Sequence, residues 1–230
     1  YMIKVIDAIC GAGKSTYIID KMRDEPDRKY LYITPFLTEV EERIPNELPE
    51  LNFKTPKHLG KGKLSNFKDL VERDENIAST HSLFSMFTPE IVDLIVKHKY
   101  CLIIDEAIDC FGLLPDSFKP SDTMALIKGD FVNVDESNRN RLVWNEDKYP
   151  EHDGRYSEIR NMCNLEMMYC YVDTFLMWEY PPKLLKGLDD IYVLTYLFDG
   201  SDMRCWLELN NIDYDYVDNQ SIGLRPEEDI

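Results

Sequence analysis

Two short stretches carry residue types that do chemistry together. Residues 8–15, AICGAGKS, keep the closing G-K-S of the phosphate-loop pattern G-x-x-x-x-G-K-[ST], with Ala8 where the pattern has its first glycine. Glycines at 11 and 13 let the backbone N–H groups of Cys10, Gly11, Ala12 and Gly13 curl around phosphate oxygens. A helix starting at this point adds favourable partial charge. Lys14 would reach the β- and γ-phosphates, and the Ser15 hydroxyl, followed by Thr16, would coordinate Mg2+. Position 8 needs only a small side chain and a tolerable backbone angle, so alanine there is a mild change.

The second stretch is CLIIDEAID, residues 101–109. Its apolar run delivers Asp105 and Glu106 to the carboxyl end of a strand, the edge where open α/β sheets bind ligands. Asp105 would hold Mg2+, and Glu106 would orient and activate a water attacking the γ-phosphate. Together the two stretches specify a nucleoside triphosphatase; ATP with Mg2+ is the expected cofactor, and no residue here reads the base. A P-loop kinase of a nucleoside or small molecule opens with the same loop, and so does a DNA-packaging ATPase. A non-enzymatic regulator that keeps the ATP fold for protein binding is a further alternative. The paired acids fit water activation better than transfer to an acceptor.

Such a site needs a sheet beneath it, and the chain supplies the strands. MIKVID (2–7) reads as a buried strand, Gly11–Gly13 as the turn and residues 14–22 as a helix. KYLYITP (29–35) is a second strand stopped by Pro35, and Phe36, Val40 and Ile44 of FLTEVEERI follow at helical spacing. NIASTH (76–81), YCLIIDEA (100–107) and DIYVLT (190–195) read as further strands, with helices expected at 66–73, 89–98 and 201–210. Strands this apolar are covered on both faces, which implies a mostly parallel sheet flanked by helices. Residues 111–161 break the rhythm as an insertion, with a β-hairpin around ESNRN. Residues 162–178, rich in methionine and aromatics, read as a helix whose large side chains are core.

At 230 residues the chain can bury a substantial core, and 44% hydrophobic with 12% aromatic residues indicates a globular rather than disordered protein. No apolar run approaches the roughly 18–20 residues of a membrane span, and no signal-peptide pattern precedes the first strand. The six cysteines form no C-x-x-C pair, so reduced thiols in a cytoplasmic protein are expected. The net charge of −17 argues against a freestanding nucleic-acid binder. Any such contact must be local, and one modest basic cluster exists: Lys54, Lys57, Lys61, Lys63 and Lys68.

The segments AICGAGKST, YLYITPFLTEVEERI, IASTHSLF, LIIDEAID and YVLTYLFDGS resemble, in order and rough spacing, motifs I, Ia, Ib, II and III of superfamily 1 and 2 helicases. The likeness covers about residues 1–217 and is nearest to helicase-like ATPases carried by bacteriophages and prophages. It departs from the DEAD/DEAH form at Ile108. The resemblance implies a RecA-like P-loop NTPase domain, the first motor domain of a DNA helicase or translocase, working in the host-cell cytoplasm if phage-encoded. It places Thr34 and Pro35, and Thr80 and His81, against a nucleic-acid backbone, single-stranded DNA being the first expectation. Thr195 would sense the γ-phosphate. It also implies a second RecA-like domain, in cis or from a partner subunit, that brings an arginine finger; residues 218–230 would be a tail or the start of a linker to it.

Overall fold

Strand-forming runs alternate with amphipathic helices along the first part of the chain, and the computed structural model follows that alternation; it describes residues 2–58, 62–114, 118–172, 174–188 and 190–225. Strand β1 (Met2–Asp7) turns through residues 8–13 into helix α1 (Lys14–Asp24). Strand β2 (Tyr30–Thr34) is followed by a π-helical turn, Glu39–Arg43, and the short α2 (Ile44–Glu47). Helix α3 (Lys63–Glu72) precedes β3 (Ile77–Thr80), and α4 (His81–Phe84) and α5 (Pro89–Lys97) lead into β4 (Cys101–Asp105). The chain then builds β5 (Phe111–Leu113), α6 (Pro120–Lys128), β6 (Val132–Asp135), β7 (Arg141–Trp144), α7 (Ser157–Asn164), β8 (Met168–Tyr171) and β9 (Phe175–Glu179). It closes with α8 (Lys183–Lys186), β10 (Asp190–Thr195), α9 (Asp202–Leu209) and β11 (Tyr214–Tyr216).

Two compact units result, one from Tyr1–Ile108 with Pro182–Ile230, the other from Asp109–Pro181. The first holds a six-stranded sheet in the order β11-β1-β10-β4-β2-β3, with every neighbouring pair parallel. Every residue of β2 and β4 is buried, as strands covered on both faces require. Ile18, Ile19 and Met22 of α1 join Ile6, Tyr32, Ile103 and Leu194 in one core cluster. Because the strands run parallel, they finish at one edge. Asp7 is in register with Thr195, Asp105 with Leu194, and Thr34 with Thr80. The acids and hydroxyls singled out by sequence therefore end together.

The segment after β2 departs from the helix expected there. Val40 and Ile44 are buried as their spacing demands, but Phe36 is 56% exposed. Glu39–Arg43 winds as a π-turn, closed by the Ile44 N–H bonding back to the Glu39 carbonyl. Such turns are rare and concentrate at functional sites.

The second unit is an antiparallel sheet, β5-β9-β8-β7-β6. Leu126, Val132, Leu142, Trp144, Ile159 and Met168 form its core. The expected hairpin is β6–β7, with Arg139 and Asn140 in the left-handed region at its turn. The helix expected over 162–178 is a correction. Helix α7 ends at Asn164, Glu166 adopts a φ of 59°, and Met168–Tyr171 pairs with Phe175–Glu179. Aromatic and Met-rich residues suit a pleated surface as well as a helix face, and two such short strands leave little periodicity to read. Their pairing carries the inserted unit past residue 161 to Pro181.

Candidate functional site

The loop between β1 and α1 is fixed from both ends. The Ala8 N–H bonds to the Thr195 carbonyl at 3.0 Å, and the Asp7 carboxylate accepts the Phe198 N–H at 2.9 Å. On the other side, the Asn219 amide donates to the Asp7 carbonyl at 2.8 Å and the Arg225 N–H to the Ala12 carbonyl at 3.0 Å. Gly11 and Gly13 sit at φ 84° and 105°, conformations that side chains resist, whereas Ala8 is not among the residues with positive φ. Position 8 thus does not need glycine's backbone freedom here, whereas Gly11 and Gly13 use it.

Lys14 is buried, and its ammonium donates to the Ala8 carbonyl and, at 3.1 Å, to the Ile9 carbonyl. No carboxylate of the described residues lies within ion-pair reach of it, so its charge is available to an anion in the loop. Cys10, Gly11, Gly13, Lys14, Ser15 and Thr16 face Asp105 and Glu106 across one cleft of about 380 Å³. Ala12 is buried beneath the loop.

Asp105 ends β4 with its side chain 7% exposed, taking a hydrogen bond from the Tyr32 hydroxyl. Burial pushes its carboxyl up to about 6; the Tyr32 bond opposes that rise, and the nearby charges of Glu39 and Glu106 add to it. Burial and the Asp105 charge push the Tyr32 phenol up in turn. A cation beside Asp105 would remove the penalty. Glu106 follows in the left-handed region, φ 69°, its N–H tied to the Leu194 carbonyl at 2.8 Å. A non-glycine residue held there costs on the order of 1–3 kcal/mol, and such strain clusters where a side chain must be aimed.

These donors fit a nucleotide with Mg2+. Among the described residues no group of three His, Cys, Asp or Glu side chains forms a metal cluster. Mg2+ bound through phosphates needs only one or two protein oxygens, and the cleft lining includes the Ser15 and Asp105 side chains that would supply them.

Residues expected at a nucleic-acid backbone fall into two groups. Thr34 is fully buried, its hydroxyl donating to Glu39 at 2.9 Å, so it presents no surface to a strand. Pro35 is exposed beside it, with Phe36 and Leu37. Thr80 caps α4 by accepting the Leu83 N–H, and the His81 ring bonds the Asp105 carbonyl at 3.0 Å. Both are half-buried next to the cleft. Thr195 is buried at the end of β10, between the strands that carry the loop and Asp105. In the basic cluster, Lys54, Lys57 and Lys63 line an open groove with His58 and Glu41, while Lys68 pairs with Glu90 at 2.5 Å. Lys61 lies outside the described residues.

Sequence reasoning missed Glu39 and Arg43, which line the same cleft. Arg43 donates to Glu39 at 2.9 Å and to Glu47 at 3.0 Å. Their position just past the carboxyl end of β2, four residues apart, was the signal available.

Comparison with known proteins gives three likenesses. A family model described as the YonV middle domain matches residues 117–178, inside the Asp109–Pro181 unit. The SPbeta prophage-derived uncharacterized protein YonV of Bacillus subtilis (strain 168) is 29% identical over 236 residues, covering 96% of this chain and 56% of that protein. The chain thus spans little more than half the length of this relative. The solved structure of S. tokodaii Xpd4 aligns with 94% of this chain and 57% of its own, at 12% identity and a TM-score of 0.38.

Proposed function

We propose that this chain is a Mg-dependent ATPase, the RecA-like N-terminal motor domain of a phage-type DNA helicase or translocase. The observation that carries the reading is one cleft in which a buried Lys14, with no carboxylate partner among the described residues, and a left-handed glycine loop face Asp105 and a strained Glu106. In that cleft the loop N–H groups and Lys14 hold the β- and γ-phosphates. Ser15 and Asp105 would hold Mg2+, which neutralises phosphate charge when bound. The Glu106 carboxylate takes a proton from water as its oxygen bonds to the γ-phosphorus and the bond to the bridging oxygen breaks. ADP and phosphate are the products. Thr195, which ends β10 between β1 and β4, would sense whether the γ-phosphate is present.

A strand of nucleic acid would cross the same carboxyl edge, over Pro35, Phe36 and Leu37 and the exposed Tyr196 and Leu197. Exposed aromatic rings give bases a stacking platform without sequence preference. The lysines of the 54–63 groove supply local positive charge on an acidic protein. No helix among the described residues is long and apolar enough to cross a membrane. The prophage relative supports a phage-encoded protein acting in the host cytoplasm. A second motor domain, in cis or from a partner, would complete the motor.

Phosphate release from ATP, measured with and without single-stranded DNA, tests this reading. Mg-dependent hydrolysis that rises with DNA, and whose stimulation fades as salt is raised, is the expected result. Phosphoryl transfer to a nucleoside acceptor without any response to DNA contradicts the motor and favours a kinase.

A further inference from the structure

The cleft contains its own arginine. Among the described residues lining it, Arg43 is the single guanidinium, and it reaches the cleft from the π-turn. Its side chain is held by two carboxylates, Nη1 on Glu39 at 2.9 Å and Nε on Glu47 at 3.0 Å. Nη2 has no protein partner among the described residues. Glu39 is in turn held by the Thr34 hydroxyl at 2.9 Å, which anchors this end of the pair to the strand edge. Arg204, by contrast, is taken by Asp199 and Glu208, and Arg225 lines a different cleft.

Three carboxylates (Glu39, Asp105 and Glu106) and two cations (Lys14 and Arg43) share the cleft. An incoming triphosphate adds several negative charges and offers the planar guanidinium two oxygens at once, a better match than a single carboxylate oxygen. We propose that Arg43 is a cis-acting arginine for the γ-phosphate, parked on Glu39 and Glu47 until a triphosphate enters. This rests on the nucleotide reading of the cleft. It adds that the chain carries a transition-state cation without a partner domain. An arginine in that role is worth about 10³–10⁵ in rate. Thr34 is then a positioning residue for Glu39, and the π-turn is the element that brings both ends of the pair to the cleft.

The test compares ADP and ATPγS affinities without DNA, using wild type, Arg43→Gln and Glu47→Gln, with Arg23→Gln as an exposed control. Arg43→Gln is expected to weaken ATPγS about 10- to 100-fold, the range of one charge-assisted hydrogen bond, while ADP changes little. Glu47 lies outside the cleft lining, so Glu47→Gln releases one tether and is expected to raise the preference for ATPγS over ADP. A wild-type ratio of affinities in folded Arg43→Gln protein overturns the proposal, as does an unchanged ratio in Glu47→Gln. Failure of the wild type to bind ADP overturns the nucleotide reading instead, because ADP needs the loop and not Arg43.

Discussion

Glu106→Gln is expected to slow ATP hydrolysis by about 10²–10⁴-fold, the usual contribution of a positioned general base, while Mg·ATP binding persists. Glutamine keeps the shape of the side chain and the backbone bond from residue 106 to the Leu194 carbonyl. What it loses is the ability to accept a proton from water. The left-handed φ of 69° matters to this expectation, because it is the strained backbone that turns the side chain into the cleft rather than along the strand. Single-turnover hydrolysis with a parallel measurement of ATP affinity separates the two effects. Wild-type turnover in this variant removes Glu106 from the chemistry.

Asp105→Asn is expected to stabilise the metal-free protein at neutral pH while abolishing Mg-dependent activity. The sign follows from the raised carboxyl. Folding lifts Asp105 from 3.8 to about 6, chiefly through burial, so the folded chain holds this proton more tightly than the unfolded one. Below about pH 4 both states are protonated and wild type and variant are alike. As pH rises through 6 the wild type must carry a buried charge, and the variant need not. The gap therefore opens between pH 4 and 6 and saturates above, at an upper value of about 3 kcal/mol. Denaturant melts in chelator at pH 4.5 and 7.5 measure it, and equal gaps at the two pH values contradict the account. Stability given up at neutral pH to keep a carboxylate ready for a cation is a common mark of a working site.

The strands of the parallel sheet and the glycine turn after β1 were legible because each is a local pattern. Apolar runs such as CLIID and YVLT read as buried strands, and Gly11 and Gly13 mark the backbone that only glycine adopts easily. At position 8 the backbone does not take a positive φ, a dihedral angle that sequence implies only loosely. Residues 162–178 misled because methionine and aromatic residues fill a helix face and a short strand equally well. Thr34 illustrates another limit: a strand-end hydroxyl can face a ligand or turn back to the protein, and here Glu39 takes it. Arg43 was overlooked for a related reason, its place four residues after Glu39 and just past β2 being a faint signal. Its place in the cleft depends on a π-turn packing Val40 and Ile44 against the sheet, and no local pattern announces that geometry.

The most direct test of the central claim is the binding of a fluorescent ATP analogue with Mg2+ to the wild-type chain and to Lys14→Ala. Lys14 is the buried cation of the loop and, among the described residues, donates only to the Ala8 and Ile9 carbonyls, so its removal would leave the phosphates without their principal charge partner. Saturable, Mg-dependent binding by the wild type and a loss of at least about 10- to 100-fold in folded Lys14→Ala protein is the predicted result. Equal affinity in the two proteins would contradict a nucleotide site at this loop.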